Sequence, residues 1–429
     1  MASVRRVILP GSLAPLRSVT YRRFFVGQLT SAFGDGMVAV ALAFAVLDVT
    51  GSTAALGWVL GIRSAFTIGA LLLGGAVADR FSRRPVMVAA DVIRFASQAA
   101  LAALLFTGTA QLWHMLVLYA IHGACSGFFY PAVSALAPQL VPQSQLQQAN
   151  ALRWGADAAG GVAGPAAAGV ILAAASPAWA IAGDSVTFAG SAAVLAMLSL
   201  PKTTRAREAP LLRQLIEGWQ EFSSRSWLWI SNIQAAATNA LLGAPFFVAG
   251  PVIARQHLGG ASAWGLIVAA GGVGDLAGGV VALRGRPRRP MFVATLLFAA
   301  FAIPGALLAL AVPAWLVAAT YLAASAGGIA GNVYWETTLQ ARVPAEVLSR
   351  VTAYDWFSSL VAQPIGFGAA GVLVADVGAT RGLASFIAAG TIICLVIPFL
   401  APVRRLEALP GEAEPHLDPD THPQLSGGS

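Results

Sequence analysis

The sequence predicts an all-α membrane protein: twelve transmembrane helices in two pseudo-symmetric six-helix bundles. Three observations carry this. Hydrophobic residues make up 57% of the 429 residues and charged residues 10%, against about 25% charged in soluble proteins. The apolar residues come in blocks of about 20, the length an α-helix needs to cross about 30 Å of hydrocarbon, and not in the alternating segments of about ten that mark a β-barrel. Of the 26 Arg and Lys, 21 fall in segments that alternate with the spans so as to share one side of the membrane.

The spans are expected near 24–48, 54–78, 86–107, 112–137, 151–174 and 178–200, then 228–252, 262–283, 291–312, 315–341, 351–375 and 382–401. The 45 Gly and 24 Pro are spread through them, as transmembrane helices tolerate. The arginine clusters Arg5–Arg6, Arg17, Arg22–Arg23, Arg80–Arg84, Arg284–Arg289 and Arg404–Arg405 are the positive-inside pattern. This pattern predicts cytoplasmic termini and places the protein in the cell membrane. The net charge of +7 is therefore explained by topology and does not point to nucleic acid. Residues 1–23 lack an apolar core, so no cleavable signal is expected. Cys125 and Cys394 fall inside spans, and neither a disulfide framework nor metal-ligand spacing is present; no cofactor is expected.

Four units follow. They are a first bundle (1–200), a cytoplasmic linker (201–227), a second bundle (228–402) and a polar tail (403–429) whose Pro, Glu and Asp predict disorder. In the linker, Leu211, Leu212, Leu215, Ile216, Trp219 and Phe222 recur at helical spacing. That pattern fits an amphipathic helix, either on the membrane interface or packed on the protein itself.

The two bundles repeat each other. Gly123–Gly127–Tyr130 reads against Gly327–Gly331–Tyr334, Gly164 and Gly169 against Gly366 and Gly371, and Arg83–Arg84–Pro85 against Arg288–Arg289–Pro290. Two related six-helix halves are the plan of a carrier that rocks about a midplane site.

Between the second and third spans the chain reads Gly75-Ala-Val-Ala-Asp79-Arg80-Phe-Ser82-Arg83-Arg84. This resembles the signature loop of the major facilitator superfamily, with Ser82 where the family has Gly. The resemblance covers nearly the whole chain and implies alternating access through a cavity between the halves. It also implies that Asp79 meets the start of the eleventh helix, around Arg350–Tyr354, and so holds the inside closed. Physically, a carboxylate there faces the positive end of a helix. Arg83 and Arg84 are expected to pair with carboxylates or lipid phosphates. Asp91 and Arg94, three residues apart in the third span, neutralise each other and are read as structural, tied to the Asp79 network.

Gly160-Gly161-Val-Ala-Gly164-Pro165-Ala-Ala-Ala-Gly169 in the fifth span resembles the Gly-Pro motif of drug:proton antiporters in that superfamily. Its physical content is close helix packing and a bend at Pro165. The branch it points to includes macrolide-efflux and siderophore-exporter proteins.

Charges deep in the membrane are functional candidates by default. Asp35, between Gly34 and Gly36, lies roughly 16 Å from the cytoplasmic end of its helix at 1.5 Å per residue. Arg63 and His122 lie roughly 22 Å from theirs. Asp35 is read as the proton-titrating or cation-binding group, with Arg63 or His122 as partner, or else as half of a static pair with Arg63. Many proton-coupled family members carry an Arg in the fourth span near Tyr119 and His122; it is absent here, and Arg63 is the candidate substitute. Asp275 is a second coupling candidate. Asp184, Asp355, Arg153 and Asp157 are read as interfacial. Asn232, Gln234 and Asn239, with Tyr130, Trp154, Tyr334, Trp335 and Trp356, are candidate cavity residues.

The only lysine, Lys202, follows no Gly-rich loop, which excludes a Walker-type ATPase. No cluster of nucleophile, base or metal ligands indicates an enzyme. The expectation is secondary active transport, with proton-coupled efflux of a small hydrophobic or amphipathic compound leading and uptake symport, or lipid or siderophore export, as alternatives. The expected partners are a small-molecule substrate, a proton or other ion and membrane lipid; the family default is a monomer.

Overall fold

A computed structural model describes residues 13–81, 83–142, 145–198, 211–285 and 287–407; side chains at 72–83 and at a few further positions lie outside that description. Among the described residues, twelve helices are long and apolar enough to cross a membrane. The first six are Val19–Thr50, Thr53–Phe81, Arg83–Phe106, Leu112–Leu140, Leu146–Ala174 and Pro177–Ala196. A linker helix, Leu211–Ser223, precedes the seventh span, Ser226–Leu258. The last five are Ala261–Arg284, Pro290–Ala309, Ala314–Arg342, the pair Ala345–Leu360 and Gln363–Val377, and Ala379–Phe399.

Local chemistry sets several of these boundaries. The Ser18 hydroxyl caps the first span by accepting the Tyr21 N–H, and Gly51, at φ 63°, ends it in the left-handed conformation that glycine adopts without strain. The eleventh span breaks at Val361–Ala362, just ahead of Pro364, and the ninth at Ala300–Phe301, ahead of Pro304; proline cannot donate to the helical ladder. The seventh span is continuous but carries two π turns, Thr238–Gly243 and Ala254–Leu258. The sequence expectation placed its end near 252, short of the second of these.

The halves meet along two seams related by the repeat. The second span packs on the eleventh, and the eighth on the fifth. Both seams are made of small residues. A methyl on Gly371 would lie 2.9 Å from the Gly57 Cα, and one on Gly265 would lie 2.7 Å from the Pro165 carbonyl oxygen. Such close contact requires that the glycine carry no side chain. Ser64 donates to Gln363 across the first seam at 3.0 Å. An Arg255–Asp48 ion pair joins the halves at the membrane face opposite the linker.

Toward the linker face the arrangement differs. Ala345–Leu360, the first part of the eleventh span, has its packing contacts with the linker helix and with the seventh and tenth spans of its own bundle. The linker helix packs on the second bundle. Gly218 lies against Arg350 and Tyr354, Glu217 pairs with Arg350, and buried Phe222 packs beside Tyr354 and Val351. Ile216 and Trp219 remain exposed. Among the described residues, Ala345–Leu360 packs within its own bundle, while the two seams and the Arg255–Asp48 pair join the halves.

This packing makes a direct prediction. Ala54→Cys, in the seam beside Gly371, is expected to resist a membrane-impermeant maleimide. Adding Gly371→Leu, which wedges the seam, is expected to raise its labelling rate several-fold.

Candidate functional site

The first span passes between the fifth and sixth, and the residues flanking Asp35 let it do so. A methyl on Gly34 would lie 2.3 Å from Asp184 Oδ1 of the sixth span, and one on Gly36 would lie 2.4 Å from the Gly160 carbonyl oxygen of the fifth. Gly160 and Gly164 of the antiporter-like motif thus seat the helix that carries Asp35. Gly161 and Gly169 of the same motif face Gly272 and Gly265 of the other half. One glycine-rich helix therefore touches both the Asp35 segment and the seam.

The Asp35 side chain keeps 31% of its surface exposed, whereas His122, with Nε2 3.9 Å from Asp35 Oδ1, keeps 1%. Neither ring nitrogen of His122 has a hydrogen-bond partner among the described residues. Its ring sits between Tyr119 and Phe188, each 5.6 Å away. Of the two expected partners of Asp35, the structure brings up His122. No ion pair within 4.0 Å joins Arg63 to Asp35 among the described residues, so a static Asp35–Arg63 pair is not formed.

Asp91 and Arg94 form a buried ion pair. Ser191 of the sixth span donates to Asp91 at 2.7 Å. The Arg94 guanidinium is held between the rings of Phe129 and Phe188, 4.3 and 4.4 Å from their centroids, a cation–π sandwich. Arg94 also reaches a cavity of about 400 Å³ lined by Gln28, Ser31, Asp35, Phe129, Tyr130, Arg153 and Asp157. Arg153 and Asp157, read from sequence as interfacial, face this cavity and pair with each other at 3.5 Å. The wall is mostly apolar, with two aromatic rings, and carries several charged and polar groups.

Two buried acids were undervalued. Asp184 is 0% exposed. Gln98 donates to its Oδ2 at 2.8 Å and, more weakly, toward the Tyr119 hydroxyl at 3.4 Å. In the second bundle, Asp355 accepts from Asn232 at 2.7 Å and from Trp335 at 3.0 Å. Both acids find their donors on other helices, which no spacing within one helix reveals. Depth was the available signal for Asp184: it is the eighth residue of its span, about 10 Å in at 1.5 Å per residue.

Asn232 and Gln234 do not line the cavity. Gln234 is buried and donates to the carbonyls of Thr295 and Cys394. Trp335 is spent on Asp355, while Trp154 and Trp356 stay exposed. Asp275 projects between the direction of Gly272, which faces the fifth span, and that of Gly274 and Gly278, which face the tenth. The repeat also identifies the counterpart of Asp35. Gly164 packs on the backbone at Gly36, and Gly366 packs in the same way at Ala240. Asp35 therefore corresponds to Asn239, a neutral residue in a π turn that donates to the Ser359 carbonyl at 2.9 Å. π turns of this kind recur at functional sites.

The side chains of Gly75, Asp79, Arg80 and Arg83 lie outside the described residues, and with them the expected Asp79 contact. Arg84 donates to the Ala196 carbonyl at the end of the sixth span.

The Major Facilitator Superfamily profile matches residues 24–367. The chain belongs to the major facilitator superfamily. Superfamily relatives include the enterobactin exporter EntS of Shigella boydii serotype 4 (strain Sb227), 26% identical over 364 residues, covering 81% of this chain and 83% of that protein. The EntS of Escherichia coli O1:K1 / APEC is 26% identical over 367 residues with the same coverage. Among solved superfamily folds, the nucleoside transporter NupG superposes with a TM-score of 0.70 at 12% identity, covering 88% of this chain and 98% of that one. A bacterial homologue of the human lysosomal transporter Spinster, inward-facing and unoccupied, gives 0.67 at 14% identity, covering 94% and 100%.

The buried pair sets a stability prediction. Arg94→Met leaves Asp91 uncompensated and is expected to cost about 3–5 kcal/mol, read as a lowered thermal midpoint of the purified protein. Asp91→Asn combined with Arg94→Met is expected to recover much of that loss.

Proposed function

We propose that the chain is a proton-coupled exporter of a small amphipathic compound, working by alternating access, with Asp35 as the coupling carboxylate. One observation carries the reading. Asp35 and Asp157 are both partly exposed acids of the cavity wall, but Asp157 is paired with Arg153, whereas the imidazole beside Asp35 is buried with both nitrogens unpartnered. An acid that reaches both a cavity and a buried base is placed to exchange a proton when the cavity changes the side on which it opens.

The arginine distribution supports a cytoplasmic linker face and cytoplasmic termini. In that orientation the Arg255–Asp48 pair lies on the outer side and the cavity sits in the cytoplasmic half of the first bundle, where an exporter loads. The wall supports a substrate with polar groups on an aromatic or apolar body: Phe129 and Tyr130 offer rings, and Gln28, Ser31 and the charged pairs offer hydrogen bonds. Siderophores are the class to test first, because the relatives are named as enterobactin exporters; antibiotics come next. The carrier is taken to act as a monomer.

The test is reconstitution into proteoliposomes under an imposed pH gradient, screened with enterobactin, macrolides and aromatic cations. Wild-type protein is expected to drive gradient-dependent flux of at least one compound. Asp35→Asn is expected to insert normally and to lose that flux down to the level of empty vesicles. Gradient-driven transport at the wild-type rate by Asp35→Asn would refute the coupling role.

A further inference from the structure

We propose that Asp184 is a second proton-holding carboxyl, placed behind Asp35 and coupled to it; the inference rests on the reading of Asp35 as the coupling acid.

The first argument is enclosure. Asp184 has no exposed surface, and no Arg or His lies within 4.0 Å of its carboxyl among the described residues. Its well-formed donor is the neutral Gln98 amide at 2.8 Å. The Thr187 hydroxyl gives its proton to the Asp184 backbone carbonyl at 2.7 Å and lies 3.4 Å from Oδ1. Ionised carboxylates buried away from water need a cation or several hydrogen bonds; this one has a single good donor. Asp91, one helix away, shows the alternative, since it is buried with both Arg94 and Ser191 on it.

The second argument is juxtaposition. Asp184 Oδ1 rests where Gly34 has no side chain, one residue from Asp35. Two carboxylates so placed disfavour each other's charge. Groups from four other helices act on Asp184: Asp35 from the first span, Arg63 from the second, Arg94 and Gln98 from the third, and Tyr119 through Gln98 from the fourth; the fifth span, which also packs on the sixth, adds no charged group among the described residues. The third argument is His122, buried, unpartnered at both nitrogens and 3.9 Å from Asp35. It gives the cluster a group that accepts or donates a proton. When the proton is on Asp184, Asp35 carries the negative charge toward the cavity. When it moves to Asp35, the O–H bond at Asp184 breaks, one forms at Asp35, and the charge passes to Asp184 beside the Gln98 amide.

The experiment is infrared difference spectroscopy of the full-length purified protein, labelled with carboxyl-13C aspartate and titrated with acid and base in the absence of substrate. Wild-type protein is expected to show a label-sensitive protonated-carboxyl band at neutral pH that Asp184→Asn removes and Asp184→Glu replaces with an unlabelled one. Asp35→Asn is expected to leave the band but displace the pH at which it is lost. If Asp184→Asn does not fold, Gln98→Leu removes the donor to Oδ2 and is expected to shift the frequency of the same band. A spectrum unchanged by both Asp184→Asn and Gln98→Leu would overturn the proposal, as would a titration unmoved by Asp35→Asn. The measurement needs no transported compound, so its failure is distinct from failure of the export reading.

Discussion

An ionisable side chain inside a bilayer must be neutralised, matched by a counter-charge or kept in touch with water, because an uncompensated charge at the membrane centre costs at least about 2.5–3.5 kcal/mol. The first bundle is organised around that requirement and meets it in three ways. Asp91 and Arg94 match each other, with aromatic faces on the cation. Asp35 stays open to the cavity. Asp184 is enclosed among neutral donors. The surrounding glycines serve the same end, since they let the first span come close enough to the fifth and sixth for the acids to share one small region.

The two halves share a backbone plan and differ in what they place on it. Gly164 and Gly366 make the same approach to the first and seventh spans, and Gly169 and Gly371 make the same approach across the seams. At the position one residue before that approach, the first half has Asp35 and the second has Asn239. Deep charge in the second half is reduced to Asp355, held by Asn232 and Trp335, and Asp275 beside the tenth span.

The class, the spans and the repeat were legible in the sequence because each is a local or strictly periodic signal. The Asp91–Arg94 pair was legible because both residues sit on one helix face. Asp184 and Asp355 were not, because their donors sit on other helices: Gln98 is 86 residues from Asp184, and Asn232 and Trp335 are 123 and 20 residues from Asp355. The linker's amphipathic pattern was plain, but a pattern of apolar residues does not say what it covers; here Tyr354 and Val351 are part of the answer. Asp35 was singled out by depth, and choosing between Arg63 and His122 as its neighbour took the packing of the fourth span against the second.

The glycine seams have a consequence for how this protein diversifies. They make contact through backbone, whereas the cavity wall is built largely from side chains, with Gly161 common to both. Packing between the halves and the chemistry of the cavity are thereby encoded in largely separate sets of positions. Substitutions at Gln28, Ser31, Phe129 or Tyr130 reshape that wall, while Gly57, Gly265 and Gly371 keep the halves in contact.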